Sequence, residues 1–272
     1  SRDGAKNLGQ RSAMHVLEEH VNRVVAAAMR DCGPGNLSLL ARLYTLRGRV
    51  LHAMVRTPGA VIRYPFTLGP GDEAVMANQD YGAMLDMFAL QARRHGMVPR
   101  RIDLPQDPRS DDEIVDLYAA ALTPRTRLLM VPHIVNITGH VLPVRRIADM
   151  AHARGVAVMV DGAHAFAQLE FRIPDLGCDY YGASLHKWLC SPLGAGLLYV
   201  RRERIAGLWP IFGDDSVPQD DIRKLNHVGT HPSHTDLSIG AAIDYHLAIG
   251  ATRKQARLRS LQRYWTEQVR HV

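Results

Sequence analysis

Lysine is scarce in this chain. Lys6, Lys187, Lys224 and Lys254 are the only four in 272 residues, so the formal charge of +6 rests on arginine and each lysine stands out. Cysteine is equally sparse: Cys32, Cys178 and Cys190 make neither a CxxC pair nor an even framework. That argues against a structural metal site or disulfide scaffold and for a reducing compartment. All three read as core residues, and Cys190, in a Pro/Gly-bearing stretch just beyond Lys187, as structural. No run approaches the ~18–20 apolar residues that cross a bilayer, and the first residues lack the charged-then-apolar order of a secretory signal. The expectation is a cytoplasmic protein without a membrane partner. Basic residues spread over helical stretches such as 253–270 carry no aromatic interleaving and no recognition motif, which reads as a solvated face rather than a nucleic-acid surface.

What is present is enough apolar side chain for a large core, 46% of the sequence. The length fits one large domain and a piece of a second. Helical patterns alternate with short apolar strands, the order of a doubly wound α/β fold with a mostly parallel sheet flanked by helices. Helices are expected over 14–29, 37–55, 81–95, 111–122 and 144–154, and helix dominates 237–271. Strands are expected over 73–77, 101–104, 127–132, 156–161, 179–184 and 194–200.

Two of those strands end in chemistry. Val156-Ala157-Val158-Met159-Val160 delivers Asp161, followed by Gly162, Ala163 and His164; the strand ending at Ser184 delivers His186, Lys187 and Trp188. Open α/β sheets bind ligands at such carboxyl-terminal strand ends. An amine, an anion and hydroxyl or imidazole donors at adjoining strand ends suit pyridoxal 5′-phosphate, which needs a lysine, a partner for its pyridinium nitrogen and phosphate ligands. Each residue alone has a plainer reading. Asp161 before Gly162 and Ala163 fits an Asx turn, His164 a packed or capping histidine, His186 a surface histidine, and Tyr81 a core residue. His227, His231 and His234 occupy an irregular loop without metal-ligand spacing. Gly182-Ala183-Ser184-Leu185-His186 lacks the second glycine of a nucleophile elbow, which argues against serine hydrolysis.

Together the motifs resemble class V aminotransferase-like enzymes of PLP fold type I, the relatives of isopenicillin N epimerase and cysteine desulfurase. The resemblance runs from about Pro70 to Gly250. It implies that Lys187 is the Schiff-base lysine, Asp161 the partner of the pyridine nitrogen, His164 a contact on the phenolic-oxygen side, and Ser184 and His186 phosphate ligands. Gly71-Asp72-Glu73 resembles the family's strand-opening motif and puts Tyr81 where an aromatic stacks on the ring; Asn136 stands where an asparagine faces cofactor and substrate. Gly229-Thr230 resembles a loop reaching the phosphate of a neighbouring subunit, implying a homodimer with shared active sites. Thr57-Pro58-Gly59-Ala60 stands between the family's phosphate loop, with Thr57, Gly59 and Ala60 as ligands at a helix start, and an ordinary proline turn.

By the same resemblance, 1–36 is an N-terminal helical segment, 37–236 the PLP-binding large domain and 237–272 a linker helix toward a small C-terminal domain, which is not in the sequence. With that domain goes the family's arginine for the substrate carboxylate. The implied function is chemistry on an amino acid or amine through an external aldimine and a Cα carbanion, of epimerase or aminotransferase type. A C–S or other β-lyase of desulfurase type on the same scaffold is the alternative. A catalytically incomplete structural or regulatory subunit is the alternative of another class, opposed by the intact Asp161, Ser184, His186 and Lys187.

Overall fold

A computed structural model describes residues 68–210, 216–226 and 234–270. The helices expected over 14–29 and 37–55, and the segment 1–36, lie outside the described residues. The chain runs β1 Glu73–Ala77, α1 Gly82–His95, β2 Val98–Ile102, α2 Asp111–Ala121, β3 Thr126–Pro132, α3 Val144–His152, β4 Ala157–Asp161, β5 Tyr180–Ser184, β6 Gly196–Val200, the single turn α4 Arg202–Ile205, α5 His234–Ile249 and α6 Ala251–Val269. These strands form one six-stranded sheet in the order β2-β1-β3-β4-β5-β6. All pairs are parallel except β5 with β6.

Direction reverses once. From β1 the chain steps outward to β2, then returns past β1 to β3 and continues through β4 to β5. Right-handed crossovers send helices to opposite faces when the step direction changes, and the packing agrees. Met84, Leu85, Met87 and Phe88 of α1 join Ala74, Met76, Leu128 and Met130 on one face. Ile114 and Tyr118 of α2 and Ile147, Ala148 and Ala151 of α3 join Val75, Leu129, Val131, Val158 and Val160 on the other. Neighbouring residues of a strand therefore enter different cores, and a sheet covered on both faces needs uninterrupted apolar strands. Fully burying one Ile, Leu or Val side chain contributes about 1.5–3 kcal/mol.

Local signals set the ends. Ser110 Oγ accepts from the Glu113 N–H at 3.3 Å, and the Glu113 carboxylate accepts from the Arg109 N–H at 2.7 Å, a reciprocal cap that starts α2. Gly96 closes α1 at φ 71°, and a Cβ there would lie 3.3 Å from Pro70. Two expectations shift. Tyr81 is not in the helix but caps α1, with extended backbone at φ −57°, ψ 127°. β2 lies at Val98–Ile102 rather than 101–104, because β1 dictates its place through the Glu73–Val98 register although Val98 and Arg101 are exposed. The order β1 to β5 makes the crevice at the ends of β1, β3, β4 and β5 the place for a ligand.

Candidate active site

That crevice is lined by Tyr81, Asn136, Asp161, His164, Ser184 and Lys187, over a floor of Met84, Gly182 and Leu198. Each polar group arrives for a backbone reason. Asp161 is the last residue of β4, and the Gly162 N–H donates to Gly182 O at 2.7 Å, clasping the ends of β4 and β5. Gly162 is required there: a Cβ would sit 1.9 Å from Tyr181 Cζ. Beyond β5 the chain turns back. The Leu185 N–H donates to Ala195 O at 3.1 Å and the Ser191 N–H to Leu185 O at 3.2 Å, which fixes the 186–190 loop carrying Lys187. Cys190 turns that loop at φ 65°, a left-handed conformation costing a non-glycine residue about 1–2 kcal/mol. Asn136 sits in the exposed turn after β3, between the bridged Ile134 and Val141.

The groups are coupled. Lys187 Nζ lies 3.0 Å from His164 Nε2 and 5.9 Å from the centre of the Tyr81 ring. Trp188 Nε1 lies 3.4 Å from His164 Nδ1. Burial raises the Asp161 carboxyl above the ordinary carboxylate range, opposed by the Ala163 N–H bond to Oδ1 at 2.9 Å and by Lys187 and His164. That N–H bond is the Asx turn of the plainer reading, so Asp161 both shapes the turn and faces the cleft. Burial, with Lys187 beside it, lowers His164, whereas Asp161 raises it.

Of the residues singled out in the sequence, Tyr81, Asn136, Asp161, His164, Ser184 and Lys187 come together in the cleft. Tyr81 is 54% exposed, which overturns its core reading. His186 is half-buried rather than a surface residue, and its Nδ1 is buried without a partner among the described residues. Thr57, Gly59, Ala60, Gly229 and Thr230 lie outside the described residues, as do His227 and His231. His234 opens α5 instead of lying in a loop, and no cluster able to hold a metal ion occurs among the described residues. Cys178 is buried as expected, but Cys190 is exposed rather than part of the core, because its loop turns outward after Leu189. Cys32 is outside the described residues. No helix among the described residues is long and apolar enough to cross a membrane.

Sequence reasoning missed Asp80. It is 3% exposed, accepts from the Ala77 N–H at 3.0 Å and leaves Oδ1 without a partner among the described residues. Burial, with Asp161 nearby, pushes it up to about 7. Its only signal was a carboxylate next to Tyr81 at a strand end.

The family model for Aminotransferase class-V matches residues 59–272. The chain is 35% identical over 218 residues to the isopenicillin N epimerase of Amycolatopsis lactamdurans, covering 74% of this chain and 55% of the epimerase. Among solved structures, the cysteine desulfurase CsdA of Escherichia coli superposes with a TM-score of 0.75 at 23% identity, over 96% of this chain and 64% of CsdA. A C-DES mutant with glycine covalently linked to its PLP cofactor superposes with a TM-score of 0.66 at 20% identity, over 89% of this chain and 70% of that one. The chain thus spans less than two thirds of the epimerase and of CsdA.

Proposed function

We propose, for a chain that belongs to the aminotransferase class-V family, that the cleft holds pyridoxal 5′-phosphate and that the protein transforms an amino acid or amine. The observation that carries this reading is Lys187 and Asp161 in one cleft with Ser184, Tyr81 and Asn136. The donor set fits the cofactor. A part-buried carboxylate with one hydrogen bond gains from a cationic ring nitrogen, and the partnerless His186 Nδ1 leaves a polar atom to be satisfied. Lys187 would carry the cofactor covalently, Asp161 would pair with its ring nitrogen, and His164 would contact its phenolic side. Ser184 and His186 would hold the phosphate, with Thr57, Gly59 and Ala60 where they reach it. Tyr81 would stack on the ring, and Asn136 would face cofactor and substrate. When bound, the cofactor supplies an electron sink for a bond broken at the substrate's Cα.

The chain's own groups do the rest. The Lys187 amine is placed to take and return a proton at the reacting carbon. His164 Nε2, 3.0 Å away, orients that amine. Asp161, raised by its burial, gives most when a cation stands opposite it. The working unit on this reading is a cytoplasmic homodimer with shared sites, in which Gly229 and Thr230 serve the neighbouring subunit's phosphate. Residues 237–272 would lead to a small domain. Isopenicillin N epimerase supports an epimerase outcome, the family's description an aminotransferase one, and a cysteine desulfurase 31% identical over 207 residues supports the second reading, a C–S lyase.

The test is cofactor uptake by the full-length protein. It should turn yellow with pyridoxal phosphate, borohydride should fix the chromophore, and peptide mapping should find it on Lys187; Lys187→Ala should lose both the covalent adduct and turnover. Protein that takes up no cofactor overturns the proposal and favours a catalytically incomplete subunit. A screen of amino acids then separates the outcomes by product: inverted Cα for epimerisation, an oxo acid for transamination, sulfide for C–S cleavage.

A further inference from the structure

We propose that Trp188 is a positioning residue that fixes the tautomer of His164, so that the ring's one proton sits on Nε2 and points at the Lys187 amine. Donors and lone pairs along Trp188, His164 and Lys187 must match. An indole N–H only donates, and Trp188 Nε1 lies 3.4 Å from His164 Nδ1. Nδ1 must therefore present its lone pair. A neutral imidazole carries a single N–H, which then falls on Nε2, 3.0 Å from Lys187 Nζ. An ammonium group has no lone pair to accept that proton, so an Nε2–H finds its acceptor only in the amine form of Lys187, the form that attacks a carbonyl carbon. With a protonated Lys187 donating to Nε2, the imidazole proton would move to Nδ1 and face the indole N–H, and one contact would be lost.

Two further observations support the assignment. Burial opposes an imidazolium at His164. Trp188 is itself held: its carbonyl accepts a hydrogen bond from Lys254 Nζ of α6, and its loop is closed by the Cys190 N–H donating to Lys187 O at 3.2 Å. An indole carried on a backbone held in this way can impose a tautomer on a ring that would otherwise choose by solvent. The tautomer stands on this geometry alone, whereas its value for cofactor capture rests on the function proposed above.

The experiment uses full-length, cofactor-free protein with 15N-labelled histidine. Long-range 1H–15N correlation near neutral pH reads the tautomer, and His164→Gln identifies the resonance by its loss. Wild type should show a protonated Nε2 and a bare Nδ1. Replacing Trp188 by β-(3-benzothienyl)alanine keeps the bicyclic shape but deletes the N–H, and Trp188→Phe is the simpler variant. Either should move a large share of the proton to Nδ1. Pyridoxal phosphate uptake by the benzothienyl protein should be about ten-fold slower than in wild type, the equivalent of one hydrogen bond. Nδ1–H in the wild type, or an unchanged tautomer in the folded benzothienyl protein, overturns the proposal. If wild type shows Nε2–H and the benzothienyl protein does not, yet neither binds cofactor, the tautomer stands and the cofactor reading falls.

Discussion

At the rim where the strands begin, Glu73 and Asp179 are fully buried and each is ringed by donors. Glu73 accepts from Thr123 Oγ1 at 2.7 Å and from Arg125 at 2.8 Å, with Arg100 3.7 Å away. Asp179 accepts from the Val158 N–H at 2.8 Å and Arg204 Nε at 2.9 Å and pairs with His152 Nε2 at 2.8 Å. At the rim where the strands end, Asp80 and Asp161 take one backbone N–H each. The charges respond in opposite directions. The Thr123 bond and the arginines hold Glu73 below the ordinary range, and at Asp179 burial is outweighed by His152, Val158 and Arg204. Burial raises both Asp80 and Asp161. Carboxylates that hold a fold together bring their partners with them. Asp80 and Asp161 are left short of partners, and Asp161 faces the cleft, the setting in which a carboxylate is a candidate for pairing with a group that comes from outside.

The sharpest way to break this contrast is Asp179→Asn, with the largest expected effect. Removing the charge leaves Arg204 and His152 facing an amide. A broken buried pair costs about 3–5 kcal/mol, and because both partners are partly exposed and screened, we expect a loss of about 2–3 kcal/mol at pH 7. The folded-state value is depressed, so its stabilisation is present above the ordinary carboxylate range and is lost as pH falls through the folded value. Urea unfolding should show the two proteins converging below about pH 4. Equal stability at pH 7 would erase the distinction between the rims.

Asp80→Asn should act in the opposite direction and somewhat less strongly. Asparagine keeps an oxygen for the Ala77 N–H but never carries the charge. A folded value of about 7 lies above the unfolded one, so the contribution of Asp80 is present at low pH and is lost as pH rises from about 4 through 7. The variant should be more stable than wild type at pH 8 by about 2 kcal/mol and indistinguishable near pH 4. A variant less stable at pH 8 would mean that the carboxylate has a partner on the cleft side.

The two rims differ also in how plainly the sequence announces them. The strands under both were legible as apolar runs: β1 falls on the expected Glu73–Ala77 because every one of its residues is buried. β2, half exposed, offers no such run, and its bounds follow from pairing with β1. Asp161 and Lys187 were legible because strand ends of a parallel sheet converge and each motif is local. The starting rim was not, since Arg125 and Glu73 meet across 52 residues and local pattern says nothing about such pairs. Asp80 was missed because its character comes from burial rather than from its neighbours in sequence. Nor does any local signal turn a cysteine outward at φ 65°, as Cys190 is.

The smallest effect on stability, and the most direct test of the contrast, belongs to Asp161→Asn. Burial raises the carboxyl, but Ala163, Lys187 and His164 offset part of that. The cofactor-free protein should therefore gain less at neutral pH than Asp80→Asn does, and the gain should vanish at and below the ordinary carboxylate range, where the wild-type group is also neutral. Because Asp161 helps raise Asp80, the Asp80 carboxyl should titrate lower in this variant, which 13C NMR of its side chain can follow. The same substitution should leave cofactor attachment at Lys187 intact yet remove most turnover, since an amide cannot balance a positive ring nitrogen. Stability and activity moving in opposite directions at one residue is what a carboxylate kept for a ligand predicts. If Asp161→Asn instead destabilises the cofactor-free protein as Asp179→Asn does, the ending rim is structural too, and the assignment of Asp161 to the cofactor loses its physical support.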